Sequence, residues 1–243
     1  MLLKLIACDV FARPLYRIAS HSPHIVDLEL VPMLAHTRPD TLRTELQGRI
    51  DRCAGERPYD RVLLAYGLCG NATAGLRAPD IPLTIPRAHD CCTLLCGSKE
   101  RFLEAFGSAL STRWRSNGYT ERCDLLGNEG DQMQSYKTSA EYREYLEKYG
   151  EENAEYLWET LHPPIETDDA VYIRMEGYEY MDTLGHFTKE MAETGKTVRI
   201  IEGDTGYLET LVNGPWEIDR FLTVPPGQTV VGVYDMDEVI RVK

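Results

Sequence analysis

The chain has 243 residues and a formal net charge of −13, from 39 acidic and 26 basic side chains. This charge disfavours nucleic acids and anionic membranes as partners, because both recruit a basic surface. The sequence contains no apolar run near the roughly 18 residues that span a bilayer. Its seven cysteines, without an export signal, favour metal or catalytic chemistry over disulfides. We therefore expect a cytoplasmic protein.

Short apolar runs and amphipathic segments alternate over the first 110 residues. Thr41–Cys53 follows a helix-start signal at Arg38-Pro39-Asp40 and predicts a helix. A second helix is expected from Cys92 or Ser98 to Leu110. Four runs predict strands: Leu2–Ala7, His24–Val31, Val62–Tyr66 and Pro82–Ile85. Such alternation predicts an α/β fold with a mostly parallel sheet and flanking helices.

The middle of the chain differs from both ends in composition. Ser139–Thr160 is rich in Glu and Tyr and predicts amphipathic helices broken near Gly150. The last third resumes the α/β pattern, with a helix at Tyr178–Thr194, a strand at Val198–Ile201, a short helix opened by Gly203-Asp204-Thr205-Gly206 and running through Leu211, and a strand at Thr229–Tyr234. We expect a single α/β domain over residues 1–243, with a helical insertion at about residues 137–163.

Cysteines follow three of the predicted strands. Cys8 follows the first strand, Cys69 the third, and His89, Asp90 and Cys91 the fourth. Because parallel strands end at one edge, where α/β proteins bind ligands, we expect the three thiols to converge. Three thiolates suit zinc, or a [4Fe–4S] cluster that keeps one iron open. His89 is then a fourth ligand or a proton donor, and Asp90 orients it.

A second interpretation needs no metal. Cys69 lies in the glycine-flanked turn YGLCGN, where a helix start would favour its thiolate form. His89 would act as base to this nucleophile, and Arg87 would hold an anionic substrate or pair with Asp90. Gly70 and Asn71, in the same turn, are candidate cofactor-binding residues because the turn is similar to an anion-binding helix start.

The remaining candidates carry weaker signals. Asp204, in the EGDTG that follows a late strand, either caps the next helix or binds a cofactor. Cys92 and Cys96 are four residues apart, and an apolar helix face is the simpler explanation for them. We assign no role to Cys53 and Cys123. A third interpretation is an accessory module that docks a partner through the Tyr142–Trp158 segment.

Two stretches resemble a family of domains of unknown function from methanogens and other anaerobes. They are YGLCGNATAGL and IPRAHDCCTLLCGSKERFLEAF; the family commonly reads YGLCGN and PR-x-HDC, followed by LL-x-GS. The closing VRIIEGDTGYLETLVNGPW and FLTVPPGQ are also similar to the family's last segment. The resemblance covers nearly the whole chain except the middle helices.

The resemblance has implications for the site and for the biological role. Cys8, Cys69, His89, Asp90 and Cys91 match the family pattern, whereas Cys92 and Cys96 replace residues that are usually aliphatic. Genes of this family often neighbour corrinoid-dependent methyltransferases. This association implies one-carbon, methyl or sulfur metabolism, with a thiol, sulfur or methyl compound or a corrinoid protein as the partner.

Overall fold

The computed structural model describes residues 1–33, 39–107, 112–123, 140–151, 153–154, 156–157, 169–233 and 238–243. The strands are β1 Leu2–Cys8, β2 Ile25–Val31, β3 Arg61–Ala65, β4 Leu83–Pro86, β5 Trp114–Ser116, β6 Asp169–Arg174, β7 Thr197–Glu202, β8 Phe221–Val224, β9 Val230–Gly232 and β10 Ile240–Val242. The α-helices are α1 Ala12–His21, α2 Pro39–Glu56, α3 Cys91–Cys96, α4 Lys99–Phe106, α5 Asn117–Cys123, α6 Ala140–Tyr149, α7 Thr183–Glu193 and α8 Gly206–Asn213. Short 3₁₀ turns occupy Asp9–Phe11 and Glu179–Met181.

The described strands form two parallel sheets and a small ribbon. The first sheet has the order β2-β1-β3-β4-β8, in which only β8 runs antiparallel to its neighbour. The second sheet, β5-β6-β7, is parallel throughout, and β9 pairs with β10 in an antiparallel ribbon. The predicted α/β class with a mostly parallel sheet and flanking helices is confirmed.

The first sheet contains a topological switch point. From β1 the chain moves to β2 on one side, and it then returns to pair β3 on the other side of β1. Crevices outside the carboxyl ends of strands at such a reversal are the usual ligand sites of open α/β sheets. Cys8 is the last residue of β1, so it lies at this reversal.

The predicted elements of the first half are confirmed, with one difference. The helix expected from Cys92 or Ser98 is two helices, because Gly97 adopts a left-handed conformation (φ 87°) that ends α3. The Ser98 hydroxyl then caps α4 by accepting the N–H of Arg101 at 3.2 Å. The expected end at Leu110 falls outside the described residues, and α4 ends at Phe106.

Several elements have no counterpart among those predicted from sequence. Helix α1 begins without a side-chain N-cap at Phe11 and carries Pro14 in its first turn, so the usual start signal is missing. Strands β5 and β8 have only three and four residues, too few to show a clear period. Helix α6 and the left-handed Gly150 (φ 77°) agree with the break predicted there, while residues 137–139 and 158–163 of the expected insertion lie outside the described residues.

One core connects the two sheets. Val171 and Ile173 of β6 belong to the same buried cluster as Leu3 and Leu5 of β1. Close to this junction, a Cβ on Gly118 of α5 would lie 2.1 Å from the carbonyl oxygen of Val10, so only glycine allows this approach. None of the described helices is both long enough and apolar enough to cross a membrane.

A charged network lies between β1, β2 and α2. The Lys4 Nζ is 2.7 Å from a carboxylate oxygen of Glu29, which also pairs with Arg49, and these side chains are largely buried. Burial alone would raise the pKa of Glu29, but hydrogen bonds and charges from Lys4 and Arg49 outweigh it, so this pKa lies below its ordinary 4.5. The stabilisation is therefore fully present above about pH 4.5 and is lost as the pH falls through the folded-state pKa.

We expect Glu29→Gln to lower the free energy of unfolding at pH 7 by about 1–3 kcal/mol, because it leaves Lys4 without this carboxylate. The stability of the variant should also decline less than that of the wild type between pH 5 and pH 3. Urea denaturation at several pH values measures both effects. Glu144→Gln, which removes an exposed pair with Lys148, is the control and should change little. An equal loss in both variants would contradict the prediction.

Candidate functional site

The loops that follow β3 and β4 run side by side at the carboxyl edge of the first sheet. The Leu68 N–H donates to the carbonyl of Ala88, and the Cys69 N–H donates to the carbonyl of His89, both at 2.8 Å. A Cβ on Gly67 would lie 2.7 Å from the Asp90 nitrogen and 2.8 Å from the Ala88 oxygen. Glycine at position 67 is therefore required for the two loops to meet.

The loop after β3 contains a strained turn. Cys69, Gly70 and Asn71 all have positive φ angles of 46°, 63° and 69°, a conformation that is costly for Cys and tolerated by Asn. The turn is fixed by a 2.7 Å hydrogen bond from Arg43 to the carbonyl of Asn71 and by the Ala72 N–H, which donates to the carbonyl of Cys69. Strained backbone of this kind is concentrated at functional sites in proteins.

The loop after β4 leads directly into α3. Asp90 is the N-cap of this helix, and its carboxylate accepts the Thr93 N–H at 2.9 Å and the Thr93 hydroxyl at 3.0 Å. The Asp90 carboxylate thus has a capping role in addition to the predicted role of orienting His89. His89 itself is half-buried, and Cys91 begins α3.

The three predicted ligands lie at this edge, each at or after the end of one of three neighbouring strands. Cys8 and Cys91 are buried, whereas Cys69 is partly exposed. The charge of a Cys69 thiolate would act on Cys8 and on Cys91, and that of a Cys8 thiolate would act on Cys91. Within the described ranges, however, no three His, Cys, Asp or Glu side chains are grouped closely enough to hold a metal ion. The thiols are thus neighbours without being in contact around a single point.

Burial keeps all three thiols protonated. It raises the pKa of Cys69 to about 12, with a further contribution from the charge of Asp90, and it raises the pKa values of Cys8 and Cys91 well above their ordinary range. Backbone N–H groups act in the opposite direction, because they bond to sulfur. The N–H groups of Val10 and Asp9 bond to the sulfur of Cys8, and the N–H groups of Gly67 and Cys91 bond to the sulfur of Cys69. These donors would stabilise thiolates once a cation offset the burial.

Two neighbours of the thiols were not among the predicted site residues. Tyr66 is fully buried directly after β3; burial, and then the charges of Cys8 and Cys69, raise the pKa of its phenol. Asp9 follows Cys8; burial raises the pKa of its carboxyl, although that carboxyl accepts the Met33 N–H at 2.9 Å. The sequence could have indicated both residues, because they lie next to strand ends that also carry Cys8 and Cys69.

Arg87 and Asp204 are placed differently from the thiols. The Arg87 guanidinium donates to the carbonyls of Ile218, Glu238 and Ile240, so it joins β4 to the C-terminal segment. Asp204 follows β7 in the second sheet, accepts the Gly206 N–H at 2.6 Å and pairs with Arg101 at 2.6 Å. Asp204 thus bonds to the first residue of α8, but it is not the predicted cap of that helix, because the N-cap position is Thr205.

The other described cysteines belong to the core. Cys92 and Cys96 are buried in α3 and hydrogen-bond to each other; burial raises the pKa of Cys92. Cys53 is buried in α2, where its thiol donates to the carbonyl of Arg49 at 3.1 Å, and burial raises its pKa to about 11. The Cys123 side chain, and parts of the Tyr142–Trp158 segment, lie outside the described residues.

Comparison with known proteins identifies a family. The family described as "Protein of unknown function (DUF1638)" matches residues 30–212, which include Cys69, His89, Asp90 and Cys91 and begin after Cys8. No curated protein and no solved structure matches the chain. The match extends over most of the sequence and agrees with the family resemblance carried by the YGLCGN and PRAHDC motifs. The chain therefore belongs to the DUF1638 family.

Proposed function

We propose that Cys8, Cys69 and Cys91 bind an iron–sulfur cluster of the [4Fe–4S] type, in a protein of anaerobic one-carbon, methyl or sulfur metabolism. The observation that carries the proposal is the position of the three thiols. They follow three adjacent parallel strands and interact with one another at the switch point of the sheet. Three cysteines leave one iron of such a cluster without a protein thiolate.

A cluster requires a less close approach of the three thiols than a zinc ion does. A tetrahedral zinc ion with Zn–S bonds of about 2.3 Å requires sulfurs about 3.8 Å apart, and the described residues contain no side-chain group arranged to hold a single ion. In a cluster each thiolate binds a different iron, so neighbouring sulfurs that do not touch are the suitable arrangement. Zinc would require side-chain rotations that bring the sulfurs closer.

The surroundings of the thiols also suit a cluster. Backbone N–H groups of Val10, Gly67 and Cys91 are directed at the sulfurs of Cys8 and Cys69, and such bonds tune the potential of bound clusters. Burial of Cys8 and Cys91 excludes water from most of the site.

Access to the site is from the side of Cys69. Cys69 is the one thiol of the three with appreciable exposure, and His89, Asp90 and Asn71 beside it are half-buried. An open iron supplies either electron transfer or a position for a thiol or sulfur ligand. His89 would stand at the entrance, as a fourth ligand or as a proton donor to a bound molecule.

The nucleophile interpretation receives less support from the structure. A catalytic thiol needs a lowered pKa or an adjacent base, whereas burial and Asp90 raise the pKa of Cys69 to about 12. The metabolic part of the proposal, and the alternative of a corrinoid-binding accessory module, rest on the family resemblance and not on the geometry.

Metal and sulfide analysis of protein purified without oxygen tests the proposal. We expect about four iron and four sulfide per chain with broad visible absorption. About one zinc without colour would replace the cluster with a zinc thiolate site. Protein that contains neither metal after anaerobic purification and reconstitution with iron and sulfide would overturn the proposal.

A further inference from the structure

A cleft of about 540 Å³ opens beside the thiol site, where β4 ends and β8 begins. The cleft is lined by Tyr207, by three cationic side chains and by three carboxylates. The cations are Arg87, Lys99 and Arg220, and the carboxylates are Glu100, Asp219 and Glu238. The volume is in the range of small-molecule sites. The cleft is at the same carboxyl edge as the thiols, next to β4, whose following loop leads to Cys91.

Arg87 is an unusual buried cation. Only 7% of the residue is exposed, yet in the part of the chain that the structure describes its guanidinium has no ion pair with a carboxylate. Nε and Nη1 donate to three backbone carbonyls, which fixes the guanidinium in place. Nη2 makes no hydrogen bond to any described residue, so its two N–H donors remain for a molecule in the cleft.

Arg220 is held on the same cleft without a carboxylate partner among the described residues. Its guanidinium stacks on the Tyr207 ring, 4.6 Å from the centroid. Its one hydrogen bond to the described chain is a long 3.4 Å contact with the carbonyl of Gly97. Stacking leaves the edge of a guanidinium available for paired hydrogen bonds to an anion.

The carboxylates of the cleft do not neutralise these arginines by contact. Glu100 is engaged by its own backbone N–H and by Ser98, at the start of α4, and these bonds lower its pKa. Asp219 is exposed to solvent. A buried cation without an anionic partner is costly, and Arg87 is such a cation. With the half-buried Arg220 beside it, in a protein of net charge −13, it indicates a site shaped for an external anion.

We propose that this cleft binds a small oxyanion, a phosphate or carboxylate group, between the Nη2 of Arg87 and the guanidinium of Arg220. Two guanidinium groups bind such oxygens in paired, charge-assisted hydrogen bonds. The inference does not depend on a cluster at the thiols, because it uses none of the cysteines.

Isothermal titration calorimetry with inorganic phosphate, and separately with succinate, tests the anion site on the full-length protein. Sodium chloride at equal ionic strength is the reference, because a non-specific charge effect would appear there as well. We expect saturable binding of at least one oxyanion. Saturation by phosphate alone or by succinate alone supports the site and identifies the oxyanion group.

Two variants test whether the anion binds in this cleft. Arg220→Gln should weaken binding by about tenfold or more, with an unchanged melting temperature in the absence of anion. Arg61→Gln is the matched control, because Arg61 stacks on Trp216 and also has no carboxylate partner among the described residues, but it lies outside the cleft. Absence of saturable binding, or equal affinity of Arg220→Gln and wild type, would overturn the proposal.

Discussion

Replacing Cys8, Cys69 or Cys91 by serine is expected to remove the visible absorption and most of the iron and sulfide of the protein, to a similar extent in each case. A protein that holds a cluster by three cysteines no longer retains it when any one of the three is replaced. The nucleophile interpretation gives a different result, in which Cys69 alone is indispensable and no metal is lost. Iron, sulfide and the visible spectrum of the three variants, purified side by side without oxygen, measure the effect.

Cys53→Ser is the matched control for this series. Cys53 is as fully buried as Cys8, and burial raises its pKa also, but it lies in α2 and its thiol bonds to the carbonyl of Arg49. We expect this variant to keep its metal and to lose only stability. Full iron and sulfide in the Cys8→Ser variant would show that the three thiols do not act as one site.

Gly67→Ala is expected to destabilise the protein by about 3 kcal/mol or more. The new Cβ would lie within 2.8 Å of backbone atoms of Ala88 and Asp90, and backbone cannot rotate away as a flexible side chain can. The loops bearing Cys69 and Cys91 would have to separate. We therefore also expect the variant to lose metal at temperatures where it is still folded. Urea denaturation and metal analysis measure the two effects.

The control is Gly48→Ala, within helix α2. A Cβ at this position meets nothing within 4 Å, and alanine is favoured over glycine inside a helix by about 0.5–1 kcal/mol. The control should therefore be slightly more stable than the wild type and retain its metal. A Gly67→Ala variant as stable as the control would mean that the two loops do not approach as closely as described.

The sequence alone was sufficient to predict the four parallel strands of the first sheet and the positions of the cysteines that follow them. Leu2–Cys8 and Arg61–Ala65 are short apolar runs, almost entirely buried, and such runs bounded by polar turns are strong strand signals. Once these strands are parallel, Cys8, Cys69 and Cys91 must share one edge. The backbone pairing of the loops at Gly67 and Ala88 could not be predicted, because it depends on close approach and not on a motif.

Other features of the fold and of the site could not be predicted from patterns in the sequence, because they depend on contacts between distant segments. The division of the strands between two sheets depends on tertiary contacts such as Gly118 against the carbonyl of Val10. Arg87 was expected to hold an anionic substrate or to pair with Asp90. Its guanidinium instead donates to three carbonyls of residues 218–240, which are more than 130 residues away in the chain. No local pattern encodes such a contact.

The long return of the chain to β8 has a consequence for how the protein is made. Strand β8, residues 221–224, borders β4, and the Arg87 N–H donates to the carbonyl of Arg220 at 2.8 Å beside it. All three cysteines are synthesised before β8, so the sheet beside them is completed only after residues 221–224 have left the ribosome. A metal held by the three thiols would therefore find its site complete only after β8 has been made.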